Sequence, residues 1–274
     1  MHGAGNDYVF VDGFESDVPE NPSAFVRQIV DRHCGIGADG LILMRPPQST
    51  DADVQMQMWN ADGSEGAMCG NGARCVALWM SLQDRVADEF TIETKHRNVV
   101  ATFATVDRNR RSGNVTIDMG VPEFDDSVLQ SEQPLKINVG GVNENTFFYS
   151  AISMGNPHAV IFRSSLSDRI VRQVGAAIEQ HDAFDDGTNV EWVQVLSEHE
   201  LRLRVWERGS GETQACGSGA CAAVVASILR GQCKRDCDIR VQMNGGILTV
   251  NWTLAGNVLL SGPAAVSFIG EWLG

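Results

Sequence analysis

Two cysteines carry the strongest chemical signal in the chain, because each is followed at once by glycine and each opens an apolar run. Cys69 stands in WNADGSEGAMCGNGARCVA, residues 59–77, and Cys216 in WERGSGETQACGSGACAAV, residues 206–224. At a constant offset of 147, Trp59, Glu65, Cys69, Gly70, Gly72 and Ala73 fall on Trp206, Glu212, Cys216, Gly217, Gly219 and Ala220. Each copy predicts a strand, a Gly-rich loop and then a helix with the cysteine at its start. Unpaired N–H groups and the helix dipole favour a thiolate there and lower a thiol pKa from about 8.5. The following glycines let the backbone approach a ligand, and its amides can hold a carboxylate. One such thiol suggests a nucleophile. Two related by an internal repeat suggest a base and an acid on opposite faces of one carbon, the arrangement that inverts a stereocentre by removing a proton and returning it on the other side. An amino-acid α-proton is far less acidic than a thiol, so the developing charge needs preorganised donors, which two helix starts supply.

The elements that must position these loops also repeat. ARCVALWMSL and GACAAVVASIL are apolar nearly all round and predict buried helices. VQMQM before Trp59 and LRLRV before Trp206 alternate with the period of half-buried strands. Weaker echoes link Gly5-Asn6 and YVFV to Gly155-Asn156 and AVIF, and helical stretches ending in His33 and His181. VTIDMG before Pro122 likewise echoes NVLLSG before Pro263. The expected fold is α/β, with two pseudosymmetric lobes, each a curved, mainly antiparallel sheet or barrel around a central helix. Residues 1–117, with 264–274 returning, form one lobe and 118–263 the other, the site lying between them. Arg45–Asp53 and Pro122–Pro134 are expected to be connectors.

Composition narrows the function. Of 274 residues, 43% are apolar, enough for a sizeable core. Acidic residues number 35 against 21 basic, a net charge of −14 that argues against nucleic acid or an anionic membrane as partner. The apolar stretch Ala220–Leu229 is half the ~20 residues of a membrane span, and the first residues have no signal-peptide pattern, so a cytoplasmic protein is expected. Seven cysteines in local clusters do not resemble a secreted disulfide framework. Cys75 and Cys221 are expected in the core. Cys233 and Cys237, in CKRDC, are expected to be structural, with no metal bound. The loops lack phosphate-loop and dinucleotide fingerprints. The three lysines, Lys95, Lys136 and Lys234, lie outside them, which disfavours pyridoxal phosphate. No cofactor is expected.

MHGAGND, WNADGSEGAMCGNGARC, MGNPH and ERGSGETQACGSGACAA resemble the signatures of the diaminopimelate epimerase family, in the family's order over nearly the whole chain. The related proline and hydroxyproline racemases carry His where this chain has Asn71, and phenazine-type isomerases lack the cysteine pair. The resemblance implies cofactor-free interconversion of LL- and meso-2,6-diaminopimelate, a step toward lysine and peptidoglycan. It implies that Cys69 and Cys216 are the acid/base thiols, with His158 and Glu207 near the reacting ammonium. The amides of Gly70-Asn71 and Gly217-Ser218 would hold the reacting carboxylate, while Asn6, Asn60, Asn156, Asn189 and Arg208 bind substrate. It implies a homodimer, with Phe268 and the C-terminal strand as contributors. Gly40 replaces a substrate-contacting glutamine of some members, and the chain starts at its first motif, so Asn6 is expected to be less firmly held. Two rivals remain: another two-cysteine racemase, and a non-catalytic redox or metal-binding protein.

Overall fold

The computed structural model describes residues 1–66, 68–125, 133–139 and 146–273. The chain divides into two compact units, Met1–Asp118 with Ser261–Gly274, and Met119–Leu260. Residues 126–132 of the expected 122–134 connector lie outside the described residues.

In the first unit the order is β1 (His2–Gly3), β2 (Asn6–Asp12), α1 (Pro22–Ile29), β3 (Gly40–Arg45), β4 (Val54–Asn60), β5 (Glu65–Gly66), α2 (Gly70–Leu82), β6 (Glu89–Glu93), β7 (Asn98–Asp107) and β8 (Ser112–Asp118). β2 and β3 are parallel, β3 and β4 antiparallel, β4 and β6 parallel, and β6, β7 and β8 antiparallel in turn. β8 then pairs with a strand near the end of the chain, whose residues Ser261–Ala265 belong to this unit, and β1 joins that strand to β2. The strands thereby close into a ring, with α2 packed on β1, β2, β7 and β8.

The VQMQM run does not make a half-buried strand. Val54, Gln55, Met56, Met58 and Trp59 are all buried. Two helices cover β4 from opposite faces: Met56 lies under Gly72 of α2, while Trp59 packs with Val26 and Ile29 of α1. Periodicity reports how many faces meet water, and here neither does.

In the second unit the order is β9 (Gln133–Lys136), β10 (Thr146–Ser153), β11 (Pro157–Phe162), a π-turn at Ile170–Val174, α3 (Gly175–Glu179), β12 (Asn189–Ser197), β13 (Glu200–Glu207), β14 (Gly211–Glu212), α4 (Gly217–Leu229), β15 (Ile239–Met243), β16 (Gly246–Trp252) and β17 (Val258–Ala265). β17 is the strand shared between the units, with Val258–Leu260 belonging to this one. The parallel pairs β11–β12 and β13–β15 mirror β2–β3 and β4–β6. α4 packs on β10, β11, β12, β13 and β16 and is buried from Gly217 to Ser227 except at Ser218. LRLRV alternates as expected, with Leu201, Leu203 and Val205 buried. The stretch before His181 is the π-turn running into α3, whereas α1 ends at Ile29 and leaves His33 in the turn beyond.

α2 and α4 are each 13 residues long and begin and end at the same repeat offset. Cys69 and Cys216 are their N-caps, with φ/ψ of −130°/119° and −119°/113°. At the other end the chain turns through a left-handed residue, Asp84 (φ 55°) after α2 and Gly231 (φ 69°) after α4. The next amides, of Arg85 and Gln232, bond back to the carbonyls of Met80 and Ser227 at 3.1 and 2.9 Å, as in a Schellman cap.

Candidate functional site

In the first unit Cys69 Sγ accepts the Gly72 N–H at 3.5 Å, so the thiol closes the first turn of α2 as a capping hydroxyl would. The thiol donates to Asn6 Oδ1, with Sγ 3.4 Å away, the same oxygen to which Asn71 Nδ2 donates at 3.1 Å. Asn71 is aligned in turn by Arg74, whose guanidinium donates to Asn71 Oδ1 at 2.7 Å and to the carbonyls of Gly70 and Pro263 at 3.4 Å. Arg74 is fully buried. A charge in that position stands because carbonyl and amide oxygens meet it along its rigid fork.

Asn6 is held from a third side, donating to Asp39 Oδ2 at 2.7 Å. The short opening strand therefore does not leave it loosely held. Burial raises the Asp39 carboxyl, and the exposed Arg32 pairs with both Asp39 and Asp7. Asn60 stands apart from this group, exposed at the end of β4 and donating to Ser64 Oγ at 3.0 Å. At Gly40 a Cβ would meet the Trp59 carbonyl oxygen at 2.3 Å and the Tyr8 ring at 2.9 Å, so no glutamine fits without a backbone shift.

The second unit repeats the cap but not its surroundings. Cys216 Sγ accepts the Gly219 N–H at 3.4 Å and lies 3.6 Å from Ser218 Oγ. Asn156 Nδ2 is 3.5 Å from that hydroxyl, and Asn156 Oδ1 is 3.0 Å from His158 Nε2. His158 Nδ1 lies 2.7 Å from Glu191 Oε1, with both side chains fully buried. Glu207, at the end of β13, accepts from the Thr213 hydroxyl and lies within hydrogen-bonding reach of the Cys216 thiol. Asn189 bridges Pro157 and Arg208: it donates to the Pro157 carbonyl and accepts the Arg208 N–H, each at 3.0 Å. The Arg208 guanidinium donates to the Asp186 carbonyl at 3.2 Å. Cys216, Ser218, Asn156, His158 and Glu207 are thus one connected group, with Asn189 and Arg208 beside it.

The expectation that a helix start lowers the thiol pKa is reversed at Cys216. Burial pushes this thiol well above its ordinary value, and the charges of Glu207 and Glu191 push the same way. The Ser218 and Gly219 contacts oppose the shift without cancelling it. Burial also raises the Glu207 and Glu191 carboxyls. Cys75 and Cys221 are core residues, and burial raises the Cys75 thiol to about 12. The glycines at the third helical position are needed inside the protein itself. A Cβ on Gly72 would meet Ile42 Cδ1 at 2.5 Å, and one on Gly219 would meet Glu191 Oε1 at 2.8 Å. Among the described residues no group of three or more His, Cys, Asp or Glu side chains is placed to hold a metal ion.

Three residues of this constellation were not singled out from the sequence: Asp39, Arg74 (although it lies inside the CGNGARC signature) and Glu191. The last two had a signal. Each is the only charged side chain within an apolar run, ARCVALWM and NVEWVQVL.

The diaminopimelate epimerase family model matches residues 1–124 and 150–266. A diaminopimelate epimerase of Bacillus cereus (strain AH187) is 45% identical over 275 residues, covering 97% of this chain and 93% of that protein. One of Bacillus anthracis (strain CDC 684 / NRRL 3495) matches to the same extent. Among solved structures, a probable proline racemase from Agrobacterium radiobacter K84 with bound carbonate aligns with a TM-score of 0.75 at 15% identity, covering 100% of this chain and 92% of that one. A hydroxyproline epimerase from Agrobacterium vitis with bound trans-4-hydroxy-L-proline aligns at 0.72 and 15%, covering 97% and 89%. These two likenesses bear on the fold alone.

Proposed function

The chain belongs to the diaminopimelate epimerase family, and from that premise we propose that it interconverts LL- and meso-2,6-diaminopimelate without a cofactor, using Cys69 and Cys216 as acid and base. The observation that carries the proposal is the paired N-cap geometry: two thiols, each capping a buried helix through the third amide of its first turn. One thiol, as thiolate, takes the α-proton while the other returns a proton to the opposite face of the carbon. Amides of Gly70-Asn71 and Gly217-Ser218 meet the charge that develops on the substrate carboxylate, where fixed dipoles need no reorganisation. Burial holds Cys216 toward its protonated form, which suits it to give the proton in one direction of turnover. His158 and Glu207 stand near the substrate ammonium. Asn6, Asn60, Asn71, Asn156, Asn189 and Arg208 orient the zwitterion, the Arg208 fork suiting a carboxylate.

We assign the protein to the cytoplasm as a homodimer. No helix among the described residues is long and apolar enough to cross a membrane. Phe268, Ile269 and Leu273 leave 61, 58 and 88% of their surfaces exposed near the C-terminus, apolar area that a second copy would cover.

The test is cofactor-free turnover of LL-diaminopimelate in D2O. The expected result is deuterium at one α-carbon together with formation of the meso isomer, and no turnover of proline or hydroxyproline. Cys69→Ala and Cys216→Ala should each lose about 10²–10⁴-fold or more in kcat. Full turnover in either single variant would sink the two-thiol mechanism.

A further inference from the structure

We infer that Glu191 is a positioning residue: through His158, Asn156 and Ser218 it sets the direction of a hydrogen-bond chain that ends on Cys216. The inference rests on the two-thiol reading above, but its direct readout does not depend on activity.

Glu191 projects from β12 toward α4, whose close approach requires Gly219. Oε1 meets His158 Nδ1 at 2.7 Å, and Oε2 is buried with no hydrogen-bond partner. The direction of the chain follows from what each atom can do. With the Asn156 amide oriented so that Oδ1, which only accepts, faces the ring, His158 Nε2, 3.0 Å away, carries a hydrogen and donates it. With Nε2 protonated, the Nδ1–Oε1 contact can be made only if it holds one further proton. Whether that proton sits on nitrogen or on oxygen, the pair is neutral overall and Nε2 remains a donor.

Removing the proton would leave a buried carboxylate with one bare oxygen in an environment that already includes Glu207, and desolvation opposes this. It would also have a directional consequence. A bare Nε2 would call on the Asn156 amide to turn over and present Nδ2 to the ring. Asn156 Oδ1 would then face Ser218 and draw its hydroxyl hydrogen away from the sulfur.

With the proton kept, each donor points the same way. Nε2–H donates to Asn156 Oδ1, Asn156 Nδ2–H to Ser218 Oγ, and the Ser218 hydroxyl is free to donate to Cys216 Sγ. A donor on sulfur stabilises the thiolate that Cys216 becomes once it has given up its proton. Glu191 thus acts on the reaction through three intermediaries and touches none of the reacting atoms. Burial raises its carboxyl in the direction this requires.

The test uses the whole enzyme labelled with 15N-histidine, the His158 signals being those lost in His158→Gln. Without substrate at neutral pH, His158 should show a protonated Nε2; a bare Nε2 with protonated Nδ1 would overturn the inference. In Glu191→Gln the amide N–H can still donate to Nδ1, so the Nε2–H signature and kcat should stay near their wild-type values. In Glu191→Leu the ring loses its partner. The tautomers should mix, and kcat should fall at least about tenfold while KM for diaminopimelate changes less. A folded Leu variant with unchanged tautomer and kcat, or a Gln variant as impaired as Leu, would overturn it. A wild-type enzyme with the Nε2–H signature but no turnover of diaminopimelate would instead remove the functional reading and leave the chain of bonds standing.

Discussion

Cys216 sits where two effects oppose each other, and their sizes decide its role. A helix N-cap offers amides and a dipole to a thiolate, while burial and two carboxyls penalise it. The second set wins. Removing one like charge should therefore show directly: in Glu207→Gln the Cys216 pKa falls and its thiolate fraction at a given pH rises. Alkylation of the Cys216 peptide by iodoacetamide, followed by mass spectrometry, should be several-fold faster than in wild type. The sign with pH follows from the raised carboxyl of Glu207. Below its ionisation Glu207 is as neutral as Gln and the two proteins react alike; the difference opens as pH rises through it. Equal rates across the range would remove Glu207 from control of the thiol. The place of both cysteines at the start of a helix was legible in the sequence because the repeat marks them twice. Glu191 and Arg74 were not, because a lone charge in an apolar run signals burial without naming its partner, and that partner is 33 residues away for Glu191.

The two central helices show how far a linear pattern reaches. Their starts, lengths and ends follow the repeat, and even the left-handed residue after each helix is preserved, as Asp84 in one copy and Gly231 in the other. Gly231 has no heavy atom within 4 Å of the position a Cβ would take, so only backbone strain opposes a side chain there. Gly231→Ala should then cost about 1 kcal/mol in urea unfolding, with no change in kcat. A cost above about 3 kcal/mol would mean that more than this turn is disturbed. Other features were not legible locally. β4 alternates in composition but is covered on both faces, by α1 and α2, and only the packing shows it. The ring of the first unit closes through β17, more than a hundred residues from β8 in sequence, and no local period encodes such a pairing. The helix expected before His181 contains a π-turn, placing Val171 and Val174 in a core with Phe147 and Trp192.

For the molecule as a whole, binding and chemistry can be separated by their energetic signatures. The net charge of −14 neither attracts nor repels a neutral zwitterion strongly, so affinity must come from the oriented groups and not from the global field. A ligand that binds only the folded chain stabilises it by RT ln(1 + [L]/Kd), about 2.7 kcal/mol at one hundred times Kd. At roughly 2–4 °C per kcal/mol for a chain of this size, diaminopimelate should raise Tm by roughly 5–10 °C, read by scanning calorimetry. Cys216→Ala should keep most of that shift, because the proposed part of this thiol is to exchange protons, which contributes little to holding the substrate. Arg208→Ala should lose most of it, because the carboxylate it would clamp then has no fork to meet it. Proline at equal concentration should leave Tm unchanged. A shift of equal size with proline would place the specificity elsewhere in the two-cysteine racemases, and no shift with either amino acid would leave the paired thiols without a zwitterion to act on.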